Sequence, residues 1–305
     1  MKQLFNTSEL KEIIESFYGV RLLDLQKINT GAQSLNFMAT ASGIGKFVIK
    51  AVPTHEDAQR IVSNCRLVRL ANGVDCLFDG KIASFQGCYV LCLSYCAGQE
   101  IRFEEYDFVL VDELVEKYVK LSRLMRGAEN PHPSRDVAEL IQSLDQLSKD
   151  LPRSNIYRAV IDECVCKGRE CLNDDNMQVV HGDFHFANFR YLNGSLAGVF
   201  DFMEFRRGYP TEDFIRLVLC CAERLRWYRV HKMRKIVKLF AYLVSKTDYP
   251  YWQWESAING YLLRKMVKKA KEGKRGLFFA LDMRLRMRLY RRLKAIAFAC
   301  VEKRA

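Results

Sequence analysis

Apolar and polar residues alternate along most of the first hundred residues of the chain. Alternation with a period of two is typical of half-buried strands. It predicts five strands, at 22–28, 35–41, 46–52, 76–85 and 88–93. Two amphipathic helices are predicted in the same part of the chain: one begins after Asn6 and ends at Gly19, and the other begins after Thr54 and ends near Gly73. This part is therefore predicted to be a sheet accompanied by helices.

After Gly98 the apolar residues recur at the three-and-four spacing of amphipathic helices. The spacing predicts helices at 107–125, 135–147, 154–171, 214–225, 231–244, 252–270 and 277–299. Between the third and the fourth of these helices, residues 177–200 are predicted to form a strand and a hairpin, with Asn193 and Gly194 as its turn. We therefore predict two domains, 1–98 and 99–305.

The length and composition are those of a globular protein of one large or two modest domains. The chain has 305 residues, of which 49% are hydrophobic and 28% charged. It contains no apolar run of the ~18 residues that a membrane span requires, and its N-terminus lacks the apolar segment of a signal peptide. We therefore expect a cytoplasmic protein. Its 11 cysteines are odd in number, and reduced thiols are the expected state.

The positive charge is concentrated in the last part of the chain. The net charge is +12, and residues 221–305 contain 23 Lys and Arg against 6 Asp and Glu. Such asymmetry favours an anionic partner: an acidic substrate, the lipid headgroups of the inner membrane face, or nucleic acid. A solvated helix face explains it as well. Nucleic acid is the least favoured partner, because the arginines of the last helix form no reading motif.

The region 177–204 combines apolar runs with residues that suit chemistry. Its sequence is MQVVHGDFHFANFRYLNGSLAGVFDFME. Asp183 lies in a loop, Asn188 follows it by five residues, and Asp201 ends the predicted hairpin. These groups favour hard cations or protons, and the hairpin can bring them to one edge. The alternative is a buried polar hairpin whose Asp and Asn residues only cap turns.

The motif in this region resembles a known family. The interval from Asp183 to Asn188 is that of the protein-kinase catalytic loop, and His181 stands where that loop has its histidine. HGDFHFAN followed by VFDF resembles the aminoglycoside phosphotransferase and choline kinase-like family, and the similarity extends more weakly over residues 28–213. It implies an α+β, two-lobed, protein-kinase-like fold, with a small N-terminal antiparallel β lobe and a larger, mainly helical C-terminal lobe.

The resemblance also implies the cofactors and the roles of the motif residues. ATP is the implied phosphoryl donor, with Mg²⁺ as its metal ion. Asp183 is then the catalytic base, and Asn188 and Asp201 are the metal ligands. His181 is expected to brace the loop through hydrogen bonds. For His185 two roles remain open, contact with the phosphates and filling of the loop.

The N-terminal part is expected to hold the nucleotide. The loop between the first two strands contains Gly31 and Ser34, and its backbone N–H groups are predicted to face the phosphates, although an ordinary hairpin turn uses the same residues. The resemblance maps Lys50 to the lysine that contacts the phosphates; the alternative is a solvent-facing lysine. It also implies that backbone groups of Ser94 and Cys96 hold the adenine.

One feature departs from the family pattern. The helix after the third strand normally supplies a Glu to the strand lysine, but residues 58–73 include no acidic residue. Glu56 is the candidate partner for Lys50, with Ser63 or Asn64 as alternatives. This departure leaves open a catalytically inactive nucleotide-binding protein.

Two features beyond the motif have two interpretations each. Asp213 follows a Gly-x-Pro segment, and in the family such a residue orients the catalytic loop; stabilisation of a helix N-terminus explains it equally well. The aromatic residues of 249–254 suit stacking on a sugar, although a helix packed on a core is the commoner reason for such a cluster.

These observations together favour an ATP-dependent phosphotransferase. Its acceptor is expected to be a hydroxyl of a small molecule or glycan, with a sugar of the lipopolysaccharide-core type as one candidate. Kinases of aminoglycosides or of choline-type alcohols are the alternative, although the basic C-terminal part argues against a polycationic acceptor. The same basic helices are the candidate contact with an anionic membrane surface.

Overall fold

The computed structural model describes most of the chain in eight long segments: residues 6–28, 34–69, 74–100, 106–126, 137–150, 177–224, 230–271 and 277–304. It also describes residues 158, 161–163, 165–166 and 169. The described residues belong to two compact units. The first unit contains the described residues up to 100 and residues 187–203, and the second contains those of 106–186 and 204–304.

The first unit is built on an antiparallel sheet of five strands in the order β1-β2-β3-β5-β4. The strands are β1 (Leu22–Ile28), β2 (Leu35–Ala41), β3 (Gly45–Val52), β4 (Ala83–Phe85) and β5 (Cys88–Ser94). Helix α1 (Thr7–Tyr18) begins at Asn6, whose side chain accepts hydrogen bonds from two backbone N–H groups, and it packs Leu10 and Ile14 into the core of the sheet. Helix α2 (His55–Val68) is capped by Thr54.

One predicted strand is wrong. Residues 76–85 were expected to form a continuous strand, but Cys76 makes only an isolated bridge with Leu93, and Phe78–Gly80 is a 3-10 turn. Phe78 and Asp79 have positive φ angles of 53° and 56°. An Asp-Gly pair favours such left-handed turns, which interrupt the pleat of a strand. The strand is therefore limited to β4.

The first unit also contains the hairpin of the motif region. It consists of β7 (Phe189–Leu192) and β8 (Ser195–Val199), which pair in antiparallel fashion. The turn residues Asn193 and Gly194 have φ angles of 53° and 81°, the positive values that a two-residue turn needs to match the twist of its strands. The hairpin predicted from this Asn-Gly pair is confirmed.

The second unit is mainly helical, with one short antiparallel pair, β6 (Gln178–Val180) with β9 (Arg206–Gly208). Its helices are α3 (Phe108–Met125), α4 (Val137–Lys149), α5 (Pro210–Arg224), α6 (Val230–Ser245), α7 (Tyr251–Lys271) and α8 (Leu277–Glu302). Helix α5 begins four residues before its predicted start, because proline suits the first position of a helix. The predicted helix 154–171 lies largely outside the described residues.

The predicted α+β class, with an antiparallel sheet in the N-terminal part and helices in the C-terminal part, is confirmed. The domain boundary at Gly98 stays a prediction. In the described part of the chain, no helix combines the length and apolar character that crossing a membrane requires.

The aromatic cluster at the start of α7 belongs to the core of the second unit. Trp254 is fully buried, and its ring lies 5.5 Å from that of Phe240 and 6.1 Å from that of Phe214. Trp252 is 37% exposed and meets the ring of Tyr209 edge-on. For Trp254, packing on a core is therefore the correct interpretation, rather than stacking on a sugar.

We expect Trp254→Ala to lower the free energy of unfolding by about 3–5 kcal/mol, because it removes a fully buried aromatic side chain and leaves a cavity. The measurement is urea denaturation followed by circular dichroism. Trp252→Ala is the matched control, with an expected loss of less than about 2 kcal/mol because its ring is partly exposed. Equal losses for the two variants would contradict the packing described here.

Candidate active site

The predicted site residues are divided between the two units. His181 and Asp183 belong to the second unit, and Lys50, Asn188 and Asp201 belong to the first. Ser34, Ser94 and Cys96 also belong to the first unit, whereas Gly31 lies outside the described residues.

In the second unit a buried carboxylate holds the start of the catalytic loop. Asp213, in the first turn of α5, is 0% exposed. Its Oδ2 accepts hydrogen bonds from the backbone N–H of His181 (2.8 Å) and from the hydroxyl of Tyr118 (2.7 Å), and its Oδ1 accepts one from the backbone N–H of Gly182 (2.8 Å). Burial raises the pKa of Asp213, and the neighbouring side chains of His181 and Arg206 offset part of that rise. The hydrogen bonds expected of a loop-orienting residue are therefore present.

Gly182 is required by the path of this loop. Its φ is +79°, and a Cβ atom at this position would lie 2.1 Å from the backbone carbonyl oxygen of Glu204. A contact that short with backbone cannot be relieved by a side-chain movement, so no other residue fits without displacing the loop.

His181 is fully buried, and its contacts are those of a bracing residue. Its Nδ1 accepts a hydrogen bond from the backbone N–H of Asp183 (3.3 Å), and its ring lies edge-on to the rings of Phe184 and Phe205. The imidazole thus fixes the backbone at Asp183.

Two side chains, those of Arg216 and His185, contact the Asp183 carboxylate. Arg216 of α5 donates to its Oδ1 from Nη2 (2.6 Å) and Nε (3.1 Å), and His185 Nε2 lies 3.3 Å from its Oδ2. Burial alone would raise the pKa of Asp183, but the hydrogen bond from His185 and the charge of Arg216 outweigh it and lower the pKa well below its usual range. Asp183 is therefore ionised at neutral pH and able to accept a hydrogen bond from a hydroxyl.

Arg216 was not predicted from the sequence. It is one of 48 Lys and Arg residues, and no motif includes it. The one available signal is its position three residues after Asp213, since residues at this spacing lie on neighbouring parts of a helix surface.

In the first unit the hairpin aligns Asn188 with Asp201. Phe189 pairs with Val199, and the backbone N–H of Phe200 donates to the carbonyl oxygen of Asn188 (3.0 Å). Asn188 and Asp201 therefore lie at the same end of the hairpin. Asp201 has a φ of +67°, uncommon for a residue other than glycine and typical of functional turns.

Lys50 is paired with Asp201. It is 6% exposed, and its Nζ lies 2.7 Å from Asp201 Oδ1. The partners considered from the sequence are engaged elsewhere or face solvent: Glu56 pairs with Arg60, and Ser63 is exposed. The solvent-facing alternative for Lys50 is wrong, because the lysine is buried and its charge is balanced by a carboxylate 151 residues away.

Asn64, one of the alternative partners considered for Lys50, is engaged with the backbone instead. It is 4% exposed, and its Nδ2 donates to the backbone carbonyl oxygen of Phe202 (2.8 Å). Helix α2 is thereby tied to the backbone next to Asp201 by a neutral side chain. Lys50 consequently does not depend on a carboxylate of α2.

The hinge-like segment after β5 is fixed by backbone hydrogen bonds. The backbone N–H of Ser94 donates to the carbonyl oxygen of Asp75 (2.8 Å), so this donor is already engaged. Further along, Gln99 and Tyr191 exchange backbone hydrogen bonds of 2.9 and 3.0 Å. At Gly98 a Cβ atom would lie 2.5 Å from the carbonyl oxygen of Tyr191, so glycine permits this close approach. The roles of Ser94 and Cys96 in adenine binding stay predictions.

The donor types in the first unit suit Mg²⁺. Asn188 and Asp201 offer an amide oxygen and a carboxylate, both hard oxygen ligands. Among the described residues no group of three or more His, Cys, Asp or Glu side chains can hold a metal ion. A site with few protein ligands is the kind that Mg²⁺ occupies when it is bound together with nucleotide phosphates.

We expect Asp213→Asn to lower kcat/KM by roughly 10–100-fold, a loss common for residues that orient catalytic ligands. The asparagine amide would place N–H groups against the backbone N–H of His181 or Gly182. Steady-state phosphorylation kinetics and nucleotide affinity by calorimetry are the measurements, and nucleotide affinity is expected to stay within a few-fold of wild type.

Tyr118→Phe is the matched control for this variant. It removes one hydrogen bond to Asp213 and leaves both backbone hydrogen bonds, so a loss of about 1 kcal/mol of stability with little change in kcat/KM is expected. Full activity of Asp213→Asn would refute the orienting role.

Comparison with known proteins gives one family and a set of related folds. The family model described as "APH: Phosphotransferase enzyme family" matches residues 24–235. Among individually curated proteins, sequence comparison finds no significant match.

Solved structures with the same fold include three phosphotransferases. Spectinomycin phosphotransferase in complex with ADP and spectinomycin is 12% identical, with 98% of this chain and 99% of that chain covered and a TM-score of 0.59. The GDP complex of an aminoglycoside 2'-phosphotransferase is 14% identical, with 96% and 99% covered and a TM-score of 0.59. An amicoumacin kinase with AMP-PNP and Ca²⁺ is 13% identical, with 89% and 88% covered and a TM-score of 0.56.

At these identities the structures establish the fold, and the family model establishes the family. The predicted kinase-like fold and the predicted resemblance are both confirmed. The chain belongs to the APH family of phosphotransferases and is itself a phosphotransferase with an alcohol group as acceptor.

Proposed function

We propose that the protein is an ATP-dependent kinase that transfers the γ-phosphoryl group to a hydroxyl of a small molecule or glycan. The observation on which this proposal rests is the ionised Asp183 carboxylate at the end of a loop fixed by Asp213. Phosphoryl transfer requires little covalent work from the protein but depends on positioning and on charge stabilisation. A carboxylate that the loop already holds in place provides the positioning.

Asp183 has the role of catalytic base in this proposal. It accepts a hydrogen bond from the acceptor hydroxyl, aligns the oxygen with the γ-phosphorus and takes the proton as the bond to phosphorus forms. The Arg216 contact makes Asp183 a weak base in the ground state. A loose transition state tolerates this, because the hydroxyl becomes acidic only as its oxygen bonds to phosphorus.

The residues of the first unit would serve the nucleotide. Lys50 is the candidate for neutralising phosphate charge, and Gly31 and Ser34 are candidates for backbone contacts with the phosphates. Ser94 and Cys96 are the candidates for holding the adenine. Among the structural relatives, the spectinomycin enzyme is in complex with ADP and the amicoumacin kinase with AMP-PNP, which supports ATP as the donor.

Asn188 and Asp201 are the candidates for holding Mg²⁺. The bound ion supplies charge neutralisation on the donor phosphates. In the nucleotide-free protein Lys50 balances the charge of Asp201. A lysine that lies beside the metal ligand is placed to exchange that contact for one with phosphate oxygens.

The acceptor remains the open choice, and the sugar-type hydroxyl is our preference. Residues 221–305 contain 23 Lys and Arg, and this positive charge disfavours a polycationic acceptor. Aminoglycosides, for which the related 2'-phosphotransferase is named, are such compounds. We place the reaction in the cytoplasm. The exposed residues Arg288 and Arg292 of α8 are candidates for contact with an anionic membrane face, where a lipopolysaccharide-core sugar would be presented.

We expect Asp183→Asn to lower kcat by roughly 10²–10⁴-fold, because the amide cannot take the proton from the acceptor. The measurement is transfer from labelled ATP in the presence of Mg²⁺ to a panel of sugars, small alcohols and lipopolysaccharide-core fragments. Asp248→Asn, at a fully exposed position before α7, is the control with unchanged turnover. Transfer by Asp183→Asn at the wild-type rate, or no transfer by the wild type to any acceptor, would overturn the proposal.

We expect removal of divalent metal by EDTA to abolish transfer and added Mg²⁺ to restore it. For Asp201→Asn the Mg²⁺ concentration that gives half-maximal rate should rise by at least ~10-fold, since a carboxylate ligand is replaced by a neutral amide. A magnesium titration of the initial rate for both proteins makes the comparison. Wild-type activity that persists in excess EDTA would exclude the metal role.

A further inference from the structure

The side chains next to Asp183 in the second unit are predominantly cationic. Arg216 binds the carboxylate directly, and its Nη1 reaches the hydroxyl of Tyr261 on α7 (3.4 Å). Lys265, one turn further along α7, places its Nζ 5.3 Å from the centre of the Tyr261 ring. From Asp183 outward, a guanidinium, an aromatic ring and an ammonium group therefore lie in succession.

Two further cations, Arg206 of β9 and Arg264 of α7, meet a carboxylate of α5 one helical turn from Arg216. Glu212 precedes Arg216 by four residues, so both lie on the same face of the helix. The Glu212 Oε2 is shared by Arg206 and Arg264, each at 2.7 Å. Two guanidinium groups therefore meet one carboxylate.

The acidic side chains near Arg216 expose little surface to which a cationic ligand could bind. Glu212 and Asp213 are 3% and 0% exposed, and both are engaged in hydrogen bonds. The side chain of Asp183 is 23% exposed and that of Arg216 25%. A molecule that reaches Asp183 therefore meets the partly exposed Arg216 beside it.

We infer that the acceptor bears an anionic group, a phosphate monoester or a carboxylate, close to the hydroxyl that is phosphorylated, and that Arg216 binds this group. The inference rests on the proposed function and specifies its substrate class. A guanidinium has five N–H donors in a fixed fork, so Arg216 can hold Asp183 through Nε and Nη2 while its Nη1 side meets the acceptor anion. Lys265 adds charge on the same side. A polycationic acceptor would be repelled.

The test is transfer from γ-labelled ATP to three matched pools. One pool holds neutral compounds (glucose, galactose, glycerol), the second their anionic counterparts (glucose 6-phosphate, galacturonate, glycerol 3-phosphate), and the third aminoglycosides. For the wild type we expect the initial rate with the anionic pool to exceed the other two by at least ~10-fold, since hydrogen bonds between charged groups are the stronger ones.

Arg216→Gln should lower kcat/KM for the anionic acceptors by roughly 10–100-fold more than for the neutral ones, mostly through KM, because the loss of its bond to Asp183 affects all acceptors alike. Arg216→Lys should restore part of the preference, because it retains the charge but not the fork. Lys265→Gln is a second variant with a smaller expected loss of preference. Lys149→Gln, at an exposed position of α4, is the control with an unchanged preference.

The outcomes separate this inference from the proposed function. Faster labelling of the neutral or aminoglycoside pool would overturn the inference and leave the kinase assignment intact. An equal loss for all pools in Arg216→Gln would overturn the role of Arg216 in acceptor selection. Labelling of no pool would overturn both.

Discussion

The conformation of the loop that carries Asp183 depends on the hydrogen bonds that the buried Asp213 carboxylate accepts. Removing a carboxylate from water is costly unless hydrogen bonds replace its hydration. Here two backbone N–H groups and the Tyr118 hydroxyl supply them, and the same bonds fix the backbone of His181 and Gly182. Because Gly182 also lies against the backbone of Glu204, the loop has little freedom to adopt another path. The position of Asp183 follows from these two constraints.

Each of the two units contains its own ion pair at the candidate site residues. In the second unit Arg216 and His185 keep Asp183 ionised, as the proposed role of a base requires. In the first unit Lys50 and Asp201 neutralise each other without a carboxylate from α2. Asn64 retains a structural link from that helix to the backbone of Phe202. The absence of the helix glutamate therefore does not leave the strand lysine unpaired.

Local signals made much of the fold predictable. Strands 22–28 and 35–41 and the Asn-Gly hairpin were predicted correctly, because alternation and turn residues act over a few positions. The strand predicted at 76–85 failed where Asp79 and Gly80 adopt a left-handed turn that outweighs the apolar pattern. For the candidate site, the motif predicts Asp183, Asn188 and Asp201, and their roles stay predictions. The pairs Lys50–Asp201 and Asp183–Arg216 join residues 151 and 33 positions apart, and no local pattern encodes such contacts.

The hydrogen bonds from His181 and Gly182 to Asp213 fix the backbone of the loop that carries Asp183. Hydrogen exchange of the backbone amides of residues 181–184 measures this directly, since amides bonded to a buried carboxylate exchange only when the loop opens. We expect strong protection of His181 and Gly182 in the wild type, and exchange at least ~10-fold faster in Asp213→Asn. Exchange of these two amides in the wild type at the rate of an unstructured peptide would show that Asp213 does not fix the loop.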